Sequence, residues 1–141
     1  MIQFNAAHFQ PPVPSVLLGP LAPSEYLRLR RKAAGLSIPQ LVERMPRRGR
    51  TAAEIRDVIE QLERPGVRAR HVDTIRAIAR VLPLDVNVYR QLAYAAPHQQ
   101  PSVCRGCGCS AHDHCRDGHG HEACSLLTPH ICSRCSDGGV A

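Results

Sequence analysis

The sequence predicts an all-α domain of five short helices followed by a small cysteine-rich module. Two observations carry this prediction. Apolar side chains recur at helical spacing between residues 24 and 94, with short turns between the runs, and no stretch alternates with the period of a strand. All 7 cysteines fall later in the chain, between Cys104 and Cys135. The 141 residues therefore divide into two small modules.

The charge of the chain divides in the same way. Residues 24–98 hold 15 basic and 8 acidic side chains, and residues 99–141 hold 3 basic and 4 acidic ones. Residues 1–23 carry no charged side chain but five prolines, which favour an extended arm over a helix. We expect a proline-rich arm over 1–23, the helical domain over 24–96, a linker over 97–103, the cysteine-rich module over 104–136 and a tail over 137–141.

The first two predicted helices have clear start and stop signals. Ser24 is a candidate N-cap for the first helix, and Gly35 is a good stop for it. Ser37 is a candidate N-cap for the second helix, which ends before Pro46. These residues predict two helices of about two to three turns each.

The third predicted helix follows a basic turn, Arg47-Arg48-Gly49-Arg50. Thr51 and Glu54 stand in the spacing of a capping box at its start. Its apolar stripe has helical spacing and consists of Ile55, Val58, Ile59 and Leu62. A fourth helix is predicted from about residue 71 to residue 82, and a fifth from about residue 85 to residue 94.

Three stretches of the helical domain match a known pattern. In Leu27–Ser37 a helix ends in basic residues before Gly-Leu-Ser. Leu62–Gly66 reads Leu-Glu-Arg-Pro-Gly, and Ile75–Leu82 is the matching stretch of the predicted fourth helix. Together they resemble the lambda-repressor/Cro-like (XRE-type) helix-turn-helix family, over roughly residues 24–95. The resemblance implies a five-helix helix-turn-helix domain whose third helix enters the major groove of DNA.

The third helix departs from the family pattern in two ways. Met45–Glu63 is several residues longer than the family usually has, and four acids on it would face phosphates unfavourably: Glu54, Asp57, Glu60 and Glu63. These acids also suit a solvated face, with pairs such as Glu60 and Arg64 at i, i+4. A helix-turn-helix scaffold adapted to protein contact is therefore the alternative to DNA binding.

Basic side chains nevertheless flank the third helix on both sides. A helix N-terminus preceded by three arginines favours a phosphate site. We therefore predict phosphate contacts from Arg47, Arg48, Arg50 and Thr51. Base contacts are predicted from Arg56 and Gln61 on the helix itself.

The C-terminal cysteines are spaced for metal binding, as Cys104-x2-Cys107-x-Cys109-x5-Cys115-x8-Cys124-x7-Cys132-x2-Cys135. The two C-x2-C pairs predict one tetrahedral site made by Cys104, Cys107, Cys132 and Cys135. Because the module has few apolar residues, the metal must supply its folding energy, of order 10 kcal/mol for structural zinc. An odd number of cysteines and a cytosolic context argue against disulfides.

The remaining cysteines leave the number of ions open. Cys109, Cys115 and Cys124 would form a second site if His119 or His121 completed it. Zinc is favoured because paired knuckles at both ends fit a ribbon or knuckle-like module, and an iron–sulfur cluster is the alternative. The first segment of the module, Cys104–Cys109, and its last segment, Ile131–Cys135, resemble a small zinc-finger-like module of bacterial and phage proteins. This resemblance implies a binding element.

Several function classes are excluded by what the sequence lacks. There is no P-loop, Rossmann glycine pattern, nucleophile elbow or H-E-x-x-H motif, so we do not expect an enzyme. No apolar run approaches the roughly 20 residues of a membrane span, and no signal peptide precedes the domain, so we expect a cytoplasmic protein.

The sequence thus predicts a bacterial or phage transcriptional regulator with a structural zinc module. Its predicted partner is double-stranded DNA, with a homodimer and a contact to the transcription machinery as further expectations. The alternative is a protein-interaction or host-factor-inhibiting protein built on the same two modules.

Overall fold

A computed structural model of the protein describes residues 19–115 and 123–136. This part of the chain is mostly helical and ends in a two-stranded sheet and a short helix. The elements in chain order are α1 (Pro23–Ala33), α2 (Ile38–Arg44), α3 (Ala52–Leu62), α4 (Val72–Ala79), α5 (Val86–Tyr94), a 3-10 turn (Pro97–Gln99), β1 (Leu126–Thr128), β2 (Ile131–Cys132) and α6 (Ser133–Ser136). Most of the predicted arm, the two histidines His119 and His121, and the tail lie outside the described residues.

The predicted caps of α2 and α3 are confirmed. The Ser37 hydroxyl accepts from the backbone N–H of Gln40, and the Gln40 side chain accepts from the backbone N–H of Ser37. Thr51 and Glu54 form the same reciprocal pair at the start of α3. Both helices therefore begin where the sequence placed them, because each first turn satisfies its own unpaired N–H groups.

Two predicted helix ends shift in the structure. Helix α1 begins at Pro23, one residue before the predicted cap Ser24, and Ser24 is buried. Proline presets the helical φ at this first position, where its missing N–H costs nothing. Helix α4 ends at Ala79 rather than near Leu82. Its C-cap Arg80 is still in the αR region, and the N–H groups of Val81 and Leu82 both donate to the Ile78 carbonyl in the turn before Pro83.

The core of the helical domain lies between α1, α2, α3, α4 and α5. Helix α2 packs against α3, and α5 packs against both α1 and α4. The fully buried apolar side chains of this core are Tyr26, Leu27, Leu41, Ile59, Ile75, Ile78 and Val88. In residues 19–115 and 123–136, no helix is long and apolar enough to cross a membrane.

A buried ion pair joins the end of α1 to the end of α3. The Arg31 Nε and Nη2 atoms donate to the two carboxylate oxygens of Glu63 at 2.6 and 2.8 Å, and Nη1 donates to the Leu36 carbonyl at 2.8 Å. A two-pronged pair of this kind fixes both distance and orientation. The Glu63 carboxylate is therefore paired with Arg31 and does not face solvent freely. The exposed acids of α3 are Glu54, Asp57 and Glu60.

Strands β1 and β2 form an antiparallel hairpin that was not predicted. Leu126 pairs with Cys132, and Thr128 pairs with Ile131. Strands of three and two residues are too short to show an alternating pattern in the sequence. The hairpin leads directly into α6, so its turn sets the position of the last two cysteines.

The capping box of α3 yields the first testable prediction. Replacing Thr51 with alanine removes the acceptor for the Glu54 N–H, and we expect a loss of about 1 kcal/mol in the free energy of unfolding. Urea denaturation measures this loss. Thr51→Ser is the matched control, because serine keeps the hydroxyl and should stay within a few tenths of a kcal/mol of the parent. Equal stability of the alanine and serine variants would contradict the role of the cap.

Candidate functional site

All seven cysteines come together as free thiols at the C-terminal end of the described chain. Cys104, Cys107, Cys109, Cys124 and Cys132 are buried, and Cys115 and Cys135 are partly buried. They form a cluster of their own, and the apolar side chains packed against it in the described part of the chain are Leu126 and Ile131. The cluster therefore takes the place of an apolar core in this module.

Six of the seven sulfur atoms fall into two overlapping groups of four. In each group all sulfurs lie within 4.8 Å of one another. The first group is Cys104, Cys107, Cys109 and Cys132; the second is Cys109, Cys115, Cys124 and Cys132. Each group has the ligand number and type that a tetrahedral metal site requires.

The first C-x2-C segment folds as a tight turn. The Gly108 N–H donates to the Cys104 carbonyl at 2.8 Å, and the Cys104 N–H donates to the Cys109 carbonyl at 2.8 Å. Gly106 lies in this turn, and a Cβ there would be only 2.7 Å from the Cys135 sulfur. Glycine at this position therefore lets the first knuckle approach the second one.

Backbone N–H groups point at several of the sulfurs. The Gly106 and Cys132 N–H groups both donate to the Cys104 sulfur at 3.4 Å, and the Cys115 N–H donates to the Cys124 sulfur at 3.3 Å. Donors aimed at sulfur stabilise thiolates, which are the form that binds metal. The backbone is therefore arranged for charged sulfurs rather than for neutral thiols.

The protonation of the cluster is uneven. The Cys109 thiol lowers the pKa of Cys107 to about 4 by hydrogen bonding to it, although burial works against this shift. The same contact, together with burial, raises the pKa of Cys109. The pKa of Cys132 is lowered. Burial alone would raise this pKa, but hydrogen bonds, above all from the backbone N–H of Cys135, favour the thiolate. A bound metal would displace the remaining protons, so metal affinity should fall as the pH falls.

The grouping differs in two respects from the sequence-based prediction of ligands. The first group contains Cys109 beside Cys104, Cys107 and Cys132, while the Cys135 sulfur belongs to neither group and lies beside Gly106 of the first knuckle. In the second group, Cys132 stands where the sequence suggested a histidine. The all-thiol donor set fits zinc and fits an iron–sulfur cluster as well, so the ion's identity is a separate question.

The residues predicted to contact DNA are all on the surface. Arg47, Arg48 and Arg50 are exposed in the turn before α3, and the Arg50 N–H donates to the Arg47 carbonyl at 2.8 Å. Arg48 has a φ of 45°, the one non-glycine residue with positive φ among those described, and Gly49 follows at 81°. Positive φ at both central residues fits a type I′ turn, in which the left-handed conformation is less favourable for arginine than for glycine.

The exposed face of α3 carries charges of both signs. Arg56 and Gln61 are exposed, as predicted for base-reading side chains. At 100° per residue, Asp57 and Glu60 lie between them on the same face. The strongest basic feature is therefore the turn before the helix, and not the helix face itself.

Two residues of the described chain were missed by sequence reasoning. Arg30 is 1% exposed and donates to the carbonyls of Pro83 (2.6 Å) and Cys107 (3.1 Å), and its Nε lies 3.1 Å from the Asp113 carboxylate. Asp113 therefore belongs to the contact between α1 and the cysteine module, where burial raises its pKa against the effect of Arg30. The available signal was that Arg30 lies one turn after Tyr26 and Leu27, on the apolar side of α1.

Comparison with protein-family models, curated proteins and solved structures gives no match to this chain. Fold alone would in any case not define a function, because function resides in the site. The cysteine cluster and the Arg47–Arg50 turn are therefore the features on which a functional conclusion depends.

Proposed function

We propose that this protein is a DNA-binding transcriptional regulator of bacterial or phage type, whose C-terminal module holds zinc as a structural ion. The observation that carries the DNA-binding part is the exposed arginine turn immediately before the N-terminus of α3. The seven clustered thiols carry the metal-binding part. The protein acts by binding, not as an enzyme, and the reducing cytoplasm would keep its thiols available.

The arginine turn is suited to phosphate. Arg47, Arg48 and Arg50 place three fixed positive charges next to the partial positive charge of a helix N-terminus. The hydrogen-bonded turn holds their backbone in place, so fewer degrees of freedom are lost when a phosphate binds. The Thr51 hydroxyl, which accepts from the Glu54 N–H, still has its own proton to donate to a phosphate oxygen.

Sequence preference in this proposal comes from Arg56 and Gln61 on α3. Arginine reads guanine and glutamine reads adenine in the major groove. Asp57 and Glu60 between them limit how deeply the helix can approach the phosphates, so the arginine turn supplies most of the affinity. A homodimer would read two half-sites about one helical turn apart, and the zinc module offers a surface for a partner subunit or for transcription machinery.

Zinc is preferred to iron for the cysteine module. The sulfurs approach one another at 3.4 to 3.8 Å, close to the ligand-to-ligand spacing of a single tetrahedral ion, and the paired C-x2-C knuckles at both ends fit zinc. Elemental analysis with an absorbance scan tests this choice. A colourless zinc protein supports it, and a brown protein with bound iron and inorganic sulfide contradicts it.

Binding to DNA is tested by the salt dependence of the affinity of the purified protein. Arg47→Ala should weaken binding to all duplex sequences alike and should reduce the log–log salt slope by about 1, because one phosphate contact is lost. Arg90→Ala is the matched control, since it removes the same charge from the exposed surface of α5. Fluorescence anisotropy with random and genomic duplexes measures both variants.

A protein-interaction or host-factor-inhibiting role is the second candidate function. The exposed acids Glu54, Asp57 and Glu60 on α3 favour it, because they repel phosphate and suit a basic protein surface. The same titration separates the two roles. No binding to duplex DNA at low salt, or equal effects of Arg47→Ala and Arg90→Ala, would favour the protein-interaction role.

A further inference from the structure

We propose that the seven cysteines hold two metal ions in one cluster, and that the Cys132 sulfur bridges the two ions. This inference rests on the metal-binding part of the proposed function and goes beyond it, because it assigns the number of ions and the ligands of each. It also replaces two separate sites with a single joined one.

The count of sulfur atoms requires sharing. Two separate tetrahedral ions need eight ligands, and the module has 7 cysteines. The two groups of sulfurs are not separate, because Cys109 and Cys132 belong to both. One shared sulfur turns seven thiolates into eight metal–sulfur bonds, so no histidine is needed to complete the second ion.

Two sulfurs, those of Cys109 and Cys132, belong to both groups; Cys109 is assigned to the second ion by its 3.4 Å approach to Cys124, and Cys132 is assigned as the bridge. A zinc–sulfur bond of about 2.3 Å places two ligands of one tetrahedral ion about 3.8 Å apart. The Cys132 sulfur lies 3.8 Å from Cys107, which belongs only to the first group, and 3.8 Å from Cys115, which belongs only to the second. One sulfur is thus at ligand-to-ligand distance from both ends of the cluster.

The surroundings of Cys132 agree with a bridging role. Its side chain is 0% exposed, and it ends β2 where α6 begins, so both the hairpin and the last helix hold it. The Cys132 N–H donates to Cys104, which ties the same residue to the first knuckle. A central, doubly anchored sulfur can contact two ions without moving the chain.

The other six sulfurs divide between the two ions. Cys104, Cys107 and Cys135 would complete the first ion with Cys132. The Cys135 sulfur lies against the first knuckle, because a Cβ at Gly106 would be 2.7 Å from the Cys135 sulfur and 3.7 Å from the Cys104 sulfur. Cys109, Cys115 and Cys124 would complete the second ion with Cys132. The 3.4 Å separation of the Cys109 and Cys124 sulfurs and the bond from the Cys115 N–H to the Cys124 sulfur support this second set.

Binding follows a simple balance. Each thiol that still carries a proton releases it to solvent as its sulfur bonds to the metal, and no oxidant or reductant takes part. The thiolates outnumber the charges of two divalent ions, so the filled cluster is anionic. The N–H groups of Gly106, Cys115 and Cys132 that point at sulfur offset part of this negative charge.

Cobalt titration of the reduced full-length protein tests the bridge. Metal analysis should give two ions per chain, and the optical bands should show tetrahedral thiolate ligation of both. The paramagnetic resonance signal should rise up to one equivalent of cobalt and then fall with the second, because spins on two ions couple through a shared sulfur. Zero bound ions would contradict the metal-binding proposal as a whole. One ion, or two ions whose signals simply add, would overturn only the bridged cluster.

Matched serine variants locate the bridge. Cys124→Ser should lose the second ion and keep the first, so the cobalt signal should rise to one equivalent and not fall afterwards. Cys132→Ser should abolish the coupling and weaken both ions together, since it removes a ligand from each. Two coupled ions in Cys132→Ser would overturn the assignment. The wild-type titration remains decisive even if this variant does not fold.

Discussion

Stripping the metal from the reduced full-length protein is expected to unfold the cysteine-rich module while leaving the helical domain folded. Among the described residues of the module, the buried side chains are cysteines and Ser110, with Leu126 and Ile131 packed beside the cysteines, so the module has little apolar surface to bury. A structural zinc ion contributes on the order of 10 kcal/mol to such a module. Hydrogen exchange should show loss of amide protection over residues 104–115 and 123–136, with little change in far-ultraviolet circular dichroism.

The specificity of this effect can be checked by returning metal to the stripped protein. Zinc should restore the protected amides, whereas magnesium and calcium should not, because hard cations avoid thiolate ligands. The helices α1 to α5 should remain folded without metal, since their core consists of their own apolar side chains. Persistent protection of residues 104–115 in excess chelator would show that the module folds without an ion.

The helices could be predicted from the sequence because their signals are local. Capping residues, prolines and apolar spacing act within one or two turns, and the structure confirms the caps at Ser37 and Thr51. The errors at Ser24 and near Leu82 are also local. Each error lies near a proline, whose ring restricts the backbone conformations of its neighbours. The helix boundary there differs from the predicted one by one to three residues.

The cysteine cluster could be predicted only in part. The C-x2-C spacing identifies a metal-binding module, because two thiols on one tight turn can reach one ion. It does not show which sulfurs meet, since this depends on how the hairpin from Leu126 to Cys132 folds back on the first knuckle. The hairpin is too short to leave a pattern, and so the shared positions of Cys109 and Cys132 were not predictable.

The buried arginines of α1 show a further limit of pattern reading. Arg30 and Arg31 belong to the basic stretch at the end of α1, yet they are 1% and 8% exposed. Arg30 pairs with Asp113, which is 83 residues away along the chain, and Arg31 pairs with Glu63, which is 32 residues away. Pairing over such distances is set by tertiary packing and not by helical spacing, so only the position of these arginines on the apolar side of α1 could have indicated it.

Replacing Arg30 with methionine is expected to be among the most destabilising single changes in the protein. Methionine keeps most of the volume but leaves the Pro83 and Cys107 carbonyls without their donor, and the partly buried Asp113 carboxylate without its counter-charge. Breaking a buried pair in this way costs about 3–5 kcal/mol. Urea denaturation of the zinc-loaded protein measures the loss, and hydrogen exchange should show it first around Cys107 and Asp113, where the module meets α1.

Two further variants separate the ion pair from other effects of the substitution. Arg28→Met, on the exposed side of the same helix, should change stability by less than about 0.5 kcal/mol. Adding Asp113→Asn to Arg30→Met removes the stranded carboxylate and should recover part of the loss, because a buried charge without a partner costs more than a buried neutral amide. If Arg30→Met proved as stable as Arg28→Met, the cysteine module would be held against α1 by its apolar contacts, and the buried pair would contribute nothing to joining them.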